Sequence, residues 1–132
     1  MTLRRFNTGL IVVLGLFVVS FGLRFVVDGA GAAAGFGIPE WPQGNAAGYF
    51  IVKGVRDLFS AAVIFILLAL GQRRVLAWIA LAAAGVPFGD TVAVLTSGGS
   101  PAAAFGIHAA TGVVVVIAAL LLFRERPAAA RG

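Results

Sequence analysis

The sequence predicts an all-α membrane protein, a single four-transmembrane-helix bundle formed by residues 1–132 with both termini in the cytoplasm. Three observations lead to this prediction. First, 61% of the residues are hydrophobic and 11% are charged, with a mean hydropathy of +1.05, whereas about a quarter of the residues of a soluble domain are charged. Second, the chain contains four long apolar runs. Third, arginines lie at alternate ends of these runs. A chain of this length forms one domain.

The apolar runs cover about residues 7–27, 46–70, 75–95 and 101–123. Each supplies the roughly 20 helical residues that a hydrocarbon core of ~30 Å requires. A secretory signal is a weaker interpretation of the first run, because Arg24 stands where small residues would mark cleavage. Pro87 predicts a break in the third run, since proline removes a helical hydrogen bond, and Pro101 suits the first turn of the fourth run.

The distribution of arginine orients the predicted bundle. Arginines precede the first run, separate the second run from the third and follow the fourth, whereas residues 28–45 and 97–100 contain no Lys or Arg. By the positive-inside rule, both termini and the turn at residues 71–74 are cytoplasmic. We therefore expect a multi-pass protein of the cell membrane. The arginines concerned are Arg4, Arg5, Arg73, Arg74, Arg124, Arg126 and Arg131.

The connection between the first and second runs, residues 28–45, is long and contains five Gly and two Pro. This composition predicts an irregular segment rather than a continuous helix. Phe36 and Trp41 indicate that the segment lies at the outer interface, where aromatic residues are enriched. Two interpretations stay open at this point, an interfacial loop without a function and a lid over the mouth of the bundle.

The most unusual feature of the second run is its charge. Lys53, Arg56 and Asp57 fall within five residues of one another inside a stretch that is otherwise apolar, and each charge in a bilayer costs at least ~2.5–3.5 kcal/mol. Their spacings of three and four residues put them on one side of a helix. A rise of ~1.5 Å per residue places them about 10–15 Å below the outer surface.

Ionisable residues of the other three runs arrive at a similar level. Asp90 lies ~7–9 Å and His108 ~10 Å below the outer surface, and Arg24 lies within a turn of it. The four runs therefore predict one polar pocket in the outer half of the bundle. For Arg24, snorkelling to the interface is an equally good interpretation.

Opposite charges suggest how the pocket is held together. We expect Arg56 to pair with Asp90 across helices, Lys53 to pair with Asp57 along one helix, and His108 to bond to one of the aspartates. The same network could serve only to fix helix register. A metal site formed by the two aspartates and His108 is disfavoured, because they lack ligand spacing on one helix.

Several of these residues together resemble a known family. The K-G-x-R-D segment at 53–57, an Asp late in the third run, a His early in the fourth and the F-G-I-P turn at 36–39 are similar to a family of small four-span integral membrane proteins from bacteria and fungi. The family is described as a domain of unknown function. The resemblance covers nearly the whole chain and implies a four-helix fold, but it implies no activity.

The function that we expect is binding of a small lipophilic molecule at the polar pocket, since ligand pockets are mostly apolar with a few convergent polar groups. General acid and base chemistry is one consequence, in an isomerase, a cyclase or an epoxide-opening enzyme. The alternatives are a small proton-coupled transporter, which would need a homodimer to form a path, and a structural or accessory subunit. We expect membrane lipid as a partner, and no cofactor, metal or nucleic acid. The candidate catalytic residues are Asp57, Asp90, His108 and Arg56, and the candidate substrate-binding residues are Lys53, Arg24, Tyr49 and Trp41.

Overall fold

The computed structural model describes residues 2–125, and this part of the chain is helical without a β-strand. Arg126 and Arg131, which contribute to the predicted orientation, lie outside the described residues. The helices, in order, are α1 (Leu3–Val27), α2 (Gly29–Ala34), a 3-10 turn (Gly44–Ala47), α3 (Gly48–Ala69), α4 (Arg73–Ala83), α5 (Gly85–Thr96), α6 (Pro101–Ala103), a π-helical segment (Ala104–Ala109) and α7 (Ala110–Phe123).

Three helical segments of the described chain are long and apolar enough to cross a membrane: Leu3–Val27, Arg73–Thr96 and Pro101–Phe123. They coincide with the first, third and fourth predicted runs, so the all-α prediction is confirmed. The second predicted run forms α3, whose 22 residues make it comparable in length. Because α3 also carries the three charges, the count of four spans stays a prediction.

Helix α3 packs against α1 along most of its length, and two glycines let the helices approach closely. A Cβ atom added at Gly54 would lie 2.6 Å from the carbonyl oxygen of Gly22, and one added at Gly22 would lie 2.9 Å from the carbonyl oxygen of Gly54. Small residues at a helix crossing are typical of membrane bundles, where close backbone packing drives association. Gly54, the glycine of the K-G-x-R-D segment, therefore fixes the distance between α1 and α3.

The third helical segment is broken at Ala84, where α4 ends and α5 begins. Pro87 accounts for this break, as predicted, because it cannot donate a hydrogen bond to the carbonyl of Ala83. The fourth segment is also irregular. Its π-helical turn, Ala104–Ala109, contains His108, and such turns occur frequently at functional sites.

The end of the bundle that is predicted to face the cytoplasm, called the inner end below, is closed by apolar packing and by a polar clamp. The apolar cluster has Ile11, Leu76, Ala77, Ala118 and Leu122 at its centre. In the clamp, the Asn7 side chain donates a hydrogen bond of 2.8 Å to Glu125, the guanidinium of Arg73 lies 3.7 Å from the same carboxylate, and Arg73 also bonds to Thr8. The clamp joins the starts of α1 and α4 to the end of α7.

The opposite end, called the outer end, is covered by the segment between α1 and α3, which we call the plug (residues 28–45). Asp28 ends α1 and caps α2, accepting a hydrogen bond of 3.0 Å from the backbone of Gly31. Gly37 adopts φ +103°, a conformation that favours glycine, and its carbonyl accepts a hydrogen bond of 3.0 Å from the backbone of Ser100. The plug thus folds back onto the start of the fourth helical segment.

Candidate functional site

A cavity of about 180 Å³ runs along the inside of the bundle, between α1, α3, the α4–α5 segment and the fourth helical segment. On α1 its wall extends from Ile11 to Phe21, a length of ~15 Å at 1.5 Å per residue. Most of the wall is apolar. The polar side chains that line it come from three helical segments: Lys53, Asp57, Ser60, Asp90, His108 and Thr111.

Lys53 and Asp57 form the polar part of the α3 wall. The Lys53 Nζ atom lies 3.1 Å from Asp57 Oδ2, so the predicted pair along the helix is confirmed. The same ammonium lies 5.5 Å, 5.0 Å and 5.6 Å from the ring centroids of Phe21, Phe25 and Phe36. A cation over aromatic faces is stabilised by the ring quadrupole, so one carboxylate and three rings fix the position of the Lys53 side chain.

Asp90 and His108 form a second pair on the opposite wall. The His108 side chain is buried, with 4% of its surface exposed. Its Nε2 atom lies 2.7 Å from the carbonyl oxygen of Phe36, and its Nδ1 atom faces Asp90 Oδ2 at 3.9 Å. A carbonyl only accepts hydrogen bonds, so Nε2 carries a proton and Nδ1 is the nitrogen presented to Asp90. We expected a hydrogen bond between His108 and an aspartate; at 3.9 Å, the two side chains are in contact but form no hydrogen bond.

The local backbone positions this second pair. The π-helical turn accommodates an extra residue and so changes the direction of His108 relative to α7. Thr91, one residue after Asp90, lies with its Oγ1 atom 2.8 Å from the carbonyl oxygen of Pro87 and 3.3 Å from that of Ala104. These contacts join α5 to the π-helical turn, so the proline break and the π-helical turn act together to bring Asp90 beside His108.

Arg56 is not part of the cluster, and its predicted pairing with Asp90 is wrong. The side chain is exposed on the outside of α3, and it forms no ion pair with the described residues. The cause is helical direction: at 100° per residue, Arg56 and Asp57 point to different sides of α3. Asp57 faces the cavity, so Arg56 faces away from it.

Arg24, Tyr49 and Trp41 do not line the cavity, so their substrate-binding roles stay predictions. Arg24 is exposed on α1, one position from the inward-facing Phe25. Tyr49 has 70% of its surface exposed at the start of α3. Trp41 packs against the cluster of Phe25, Ala32 and Ala33 and does not line the cavity.

The aromatic cage around Lys53 and the carbonyl of Phe36 are site features that the charge pattern did not reveal. Phe17, Phe21 and Phe25 recur every four residues along α1, a spacing that could have indicated an aromatic stripe on one face. A backbone carbonyl leaves no such signal in a sequence. Among residues 2–125, no group of three acidic or histidine side chains is close enough to hold a metal ion.

The site offers both hydrogen-bond donors and acceptors at one end of a largely apolar cavity. Ser60 and Thr111 supply hydroxyl groups, Lys53 supplies an ammonium, and the two aspartates supply carboxyl groups. This arrangement suits a ligand with one oxygen-bearing end and an apolar remainder.

Comparison with known families gives one match. A family model described as a domain of unknown function, DUF4267, matches residues 15–122, which include the cavity wall from Phe17 to Ala118. No curated protein and no solved structure matches the chain significantly.

Proposed function

The chain belongs to the DUF4267 family, a domain of unknown function, and we propose that it is an integral membrane protein that binds a small lipophilic molecule. The observation that carries this proposal is the cavity of about 180 Å³, apolar along most of its length and polar at its outer end. An apolar cavity of ~150 Å³ is large enough to take up a benzene-sized molecule. This cavity therefore has room for a ring or a short chain with its polar group beside Lys53 and Asp90.

In this proposal the protein crosses the cell membrane four times with both termini in the cytoplasm. Three segments have the required length and apolarity. Helix α3 packs along α1, so α3 crosses the membrane together with α1. The ion pair of Lys53 with Asp57 reduces the free-energy cost of burying the charges of α3.

The lack of native cysteine makes the topology simple to test. Gln43 lies in the plug and Gln72 in the short turn before α4, and both are exposed. In intact cells, a membrane-impermeant maleimide should label Gln43→Cys and should label Gln72→Cys only after the membrane is permeabilised. Equal labelling of the two variants in intact cells would contradict the orientation.

Ligand binding can be tested with a defined short-chain probe, octanol carrying a mid-chain diazirine, added to the protein in phosphatidylcholine vesicles. After illumination, mass spectrometry should find the probe on peptides of the cavity wall. Val115 lines the cavity, whereas the neighbouring Val114 faces outward with 38% of its surface exposed. Val115→Phe should abolish labelling of the cavity wall, and Val114→Phe should leave it unchanged. An unmodified cavity wall in the native protein would refute the proposal.

Acid and base chemistry on the bound ligand is the second part of the proposal. In the opening of an epoxide, a proton passes from the Asp90–His108 pair to the epoxide oxygen, while water attacks the carbon and loses its own proton to a carboxylate of the site. The product of 1,2-epoxyoctane and water would be a diol, which gas chromatography detects. Asp90→Asn should abolish its formation. Asp28→Asn is the matched control, because it makes the same change outside the cavity at a cap that asparagine also supports.

Proton-coupled transport has less support. A transporter needs polar groups along its path, and the inner end of this cavity is lined by Ile11, Leu76 and Ala118. A transport path would have to form elsewhere, for example between the two chains of a homodimer.

A further inference from the structure

The outer mouth of the cavity is closed by the plug. The Phe36 carbonyl accepts a hydrogen bond from His108, and the next carbonyl along the backbone, that of Gly37, accepts one from the backbone N–H of Ser100. Below these bonds, Phe25 and Phe36 pack edge to face, with ring centroids 6.4 Å apart. A ligand that arrived from the aqueous side would have to displace this hydrogen-bonded and aromatic cover.

The side of the bundle is less closed. Helix α3 packs against α1 and approaches α4, but it has no comparable packing against α5. Residues of both α3 and α5 nevertheless line the cavity, and two of them, Ser60 on α3 and Val86 on α5, are exposed. Val86 has 60% of its surface exposed. A lateral gap therefore separates the outer parts of these two helices, and we call it the α3–α5 gap.

The polar groups of the cavity are reachable through the α3–α5 gap. The side chains of Lys53 and Asp57 are 30% and 20% exposed on one side of the gap, and that of Asp90 is 29% exposed on the other. Counted along α3 from Gly48, Lys53 and Asp57 lie ~8–13 Å below the helix start. At this depth a polar group meets acyl chains rather than lipid headgroups.

We propose that the cavity is loaded sideways from the bilayer through the α3–α5 gap, by a neutral single-chain or ring lipophile whose hydroxyl or carbonyl group binds at Asp90 and Lys53. This inference rests on the proposed function and adds the route and the ligand class. A phospholipid does not fit, because its charged headgroup stays at the interface while the polar groups of the cavity lie deeper. A water-borne solute does not fit, because the plug covers the outer mouth.

The test measures the rate at which the diazirine-bearing octanol, dissolved beforehand in phosphatidylcholine vesicles, reaches the cavity. Val86 and Val92 are both 60% exposed on α5, but only Val86 lines the cavity. Val86→Trp should slow labelling of the cavity wall about tenfold, since binding that requires an opening motion is slow. In the Val92→Trp variant, the cavity wall should be labelled at the native rate.

A second variant keeps the test valid if the Val86→Trp variant misfolds. Ser60→Cys introduces a single cysteine into a chain that has none, and pyrene maleimide can be attached to it after folding. The modified protein should load the probe about tenfold more slowly than the same variant without the maleimide, because the attached group obstructs a binding route. Labelling at native rates in both obstructed proteins would overturn the lateral route while leaving ligand binding intact. No labelling of the cavity wall in the native protein, even at long times, would overturn ligand binding itself.

Discussion

Replacing Gly54 by alanine should destabilise the bundle, although alanine is the better helix former. The added Cβ would lie 2.6 Å from the Gly22 carbonyl oxygen, 2.6 Å from Val26 Cγ2 and 3.1 Å from the Val26 nitrogen. Ordinary contacts of this kind are 3.4–4 Å. Two of the three neighbours are backbone atoms, which cannot rotate away, so α1 and α3 must separate by the better part of an ångström.

The expected cost follows from this separation. Overpacking a tight contact typically costs about 1–3 kcal/mol, whereas replacing a helical glycine by alanine contributes roughly 0.8–1 kcal/mol of stability. Gly54→Ala should therefore be neutral at best and destabilising by about 2 kcal/mol at most. Gly9 is the matched control, because it lies within α1 and a Cβ added there meets nothing within 4 Å. Gly9→Ala should stabilise by the full helix-propensity gain.

The assay is reversible unfolding in mixed micelles with increasing denaturing detergent, followed by far-ultraviolet circular dichroism. Gly54→Ala should unfold at a lower detergent fraction than Gly9→Ala. Combining Gly54→Ala with Gly22→Ala should cost less than the sum of the two single changes, because both changes push the same helix crossing apart. Equal stability of Gly54→Ala and Gly9→Ala would refute the assignment of Gly54 to a close helix crossing.

Two further predictions concern the ends of the bundle. At the inner end, Glu125→Ala should lower the free energy of unfolding by about 1–3 kcal/mol, because Asn7, which is 1% exposed, loses its hydrogen-bond partner; Glu40→Ala, at an exposed site, should have little effect in the same unfolding assay. At the outer end, Gly37→Ala should release the plug, because φ there is +103° and the added Cβ would lie 2.6 Å from a neighbouring Cβ atom. Limited proteolysis should then cleave the plug faster than in Gly35→Ala, where the nearest neighbour is 3.6 Å away, and equal cleavage would contradict the proposed anchoring.

Much of the fold could be predicted from hydropathy and a few special residues. Long apolar runs dictate helices, because a backbone without water must satisfy its own hydrogen bonds. Pro87 marked the break between α4 and α5 for the same physical reason that it breaks other helices. The pair of Lys53 with Asp57 followed from their spacing of four residues, which is a local property of any helix.

The direction of Arg56 could not be predicted in this way. The three charges of α3 span about 100° of the helix circumference, and their spacing does not say which part of that arc faces inward. Gly54 determines which side of α3 faces inward, because its close contact with Gly22 orients α3 against α1. A tertiary contact therefore separated Asp57, which lines the cavity, from Arg56, which does not.

The position of His108 depended on features that leave no local pattern. The π-helical turn is maintained by packing against α5, where Thr91 contacts the Ala104 carbonyl. The hydrogen bond from His108 to the Phe36 carbonyl connects residues 72 positions apart. Depth along the helices correctly put His108 and Asp90 at one level, but only the tertiary structure shows which atoms face each other.

The hydrogen bonds of the cavity single out Asp90. Lys53 and Asp57 satisfy each other, and His108 is held by a backbone carbonyl. Among residues 2–125, the carboxyl group of Asp90 forms no hydrogen bond, and His108 Nδ1 lies 3.9 Å from it, which is beyond hydrogen-bond length. A polar group left without a partner in an apolar environment costs free energy, and a ligand hydroxyl at this position would recover it. Asp90 is therefore the part of the cavity at which binding of the proposed oxygen-bearing lipophile would gain most.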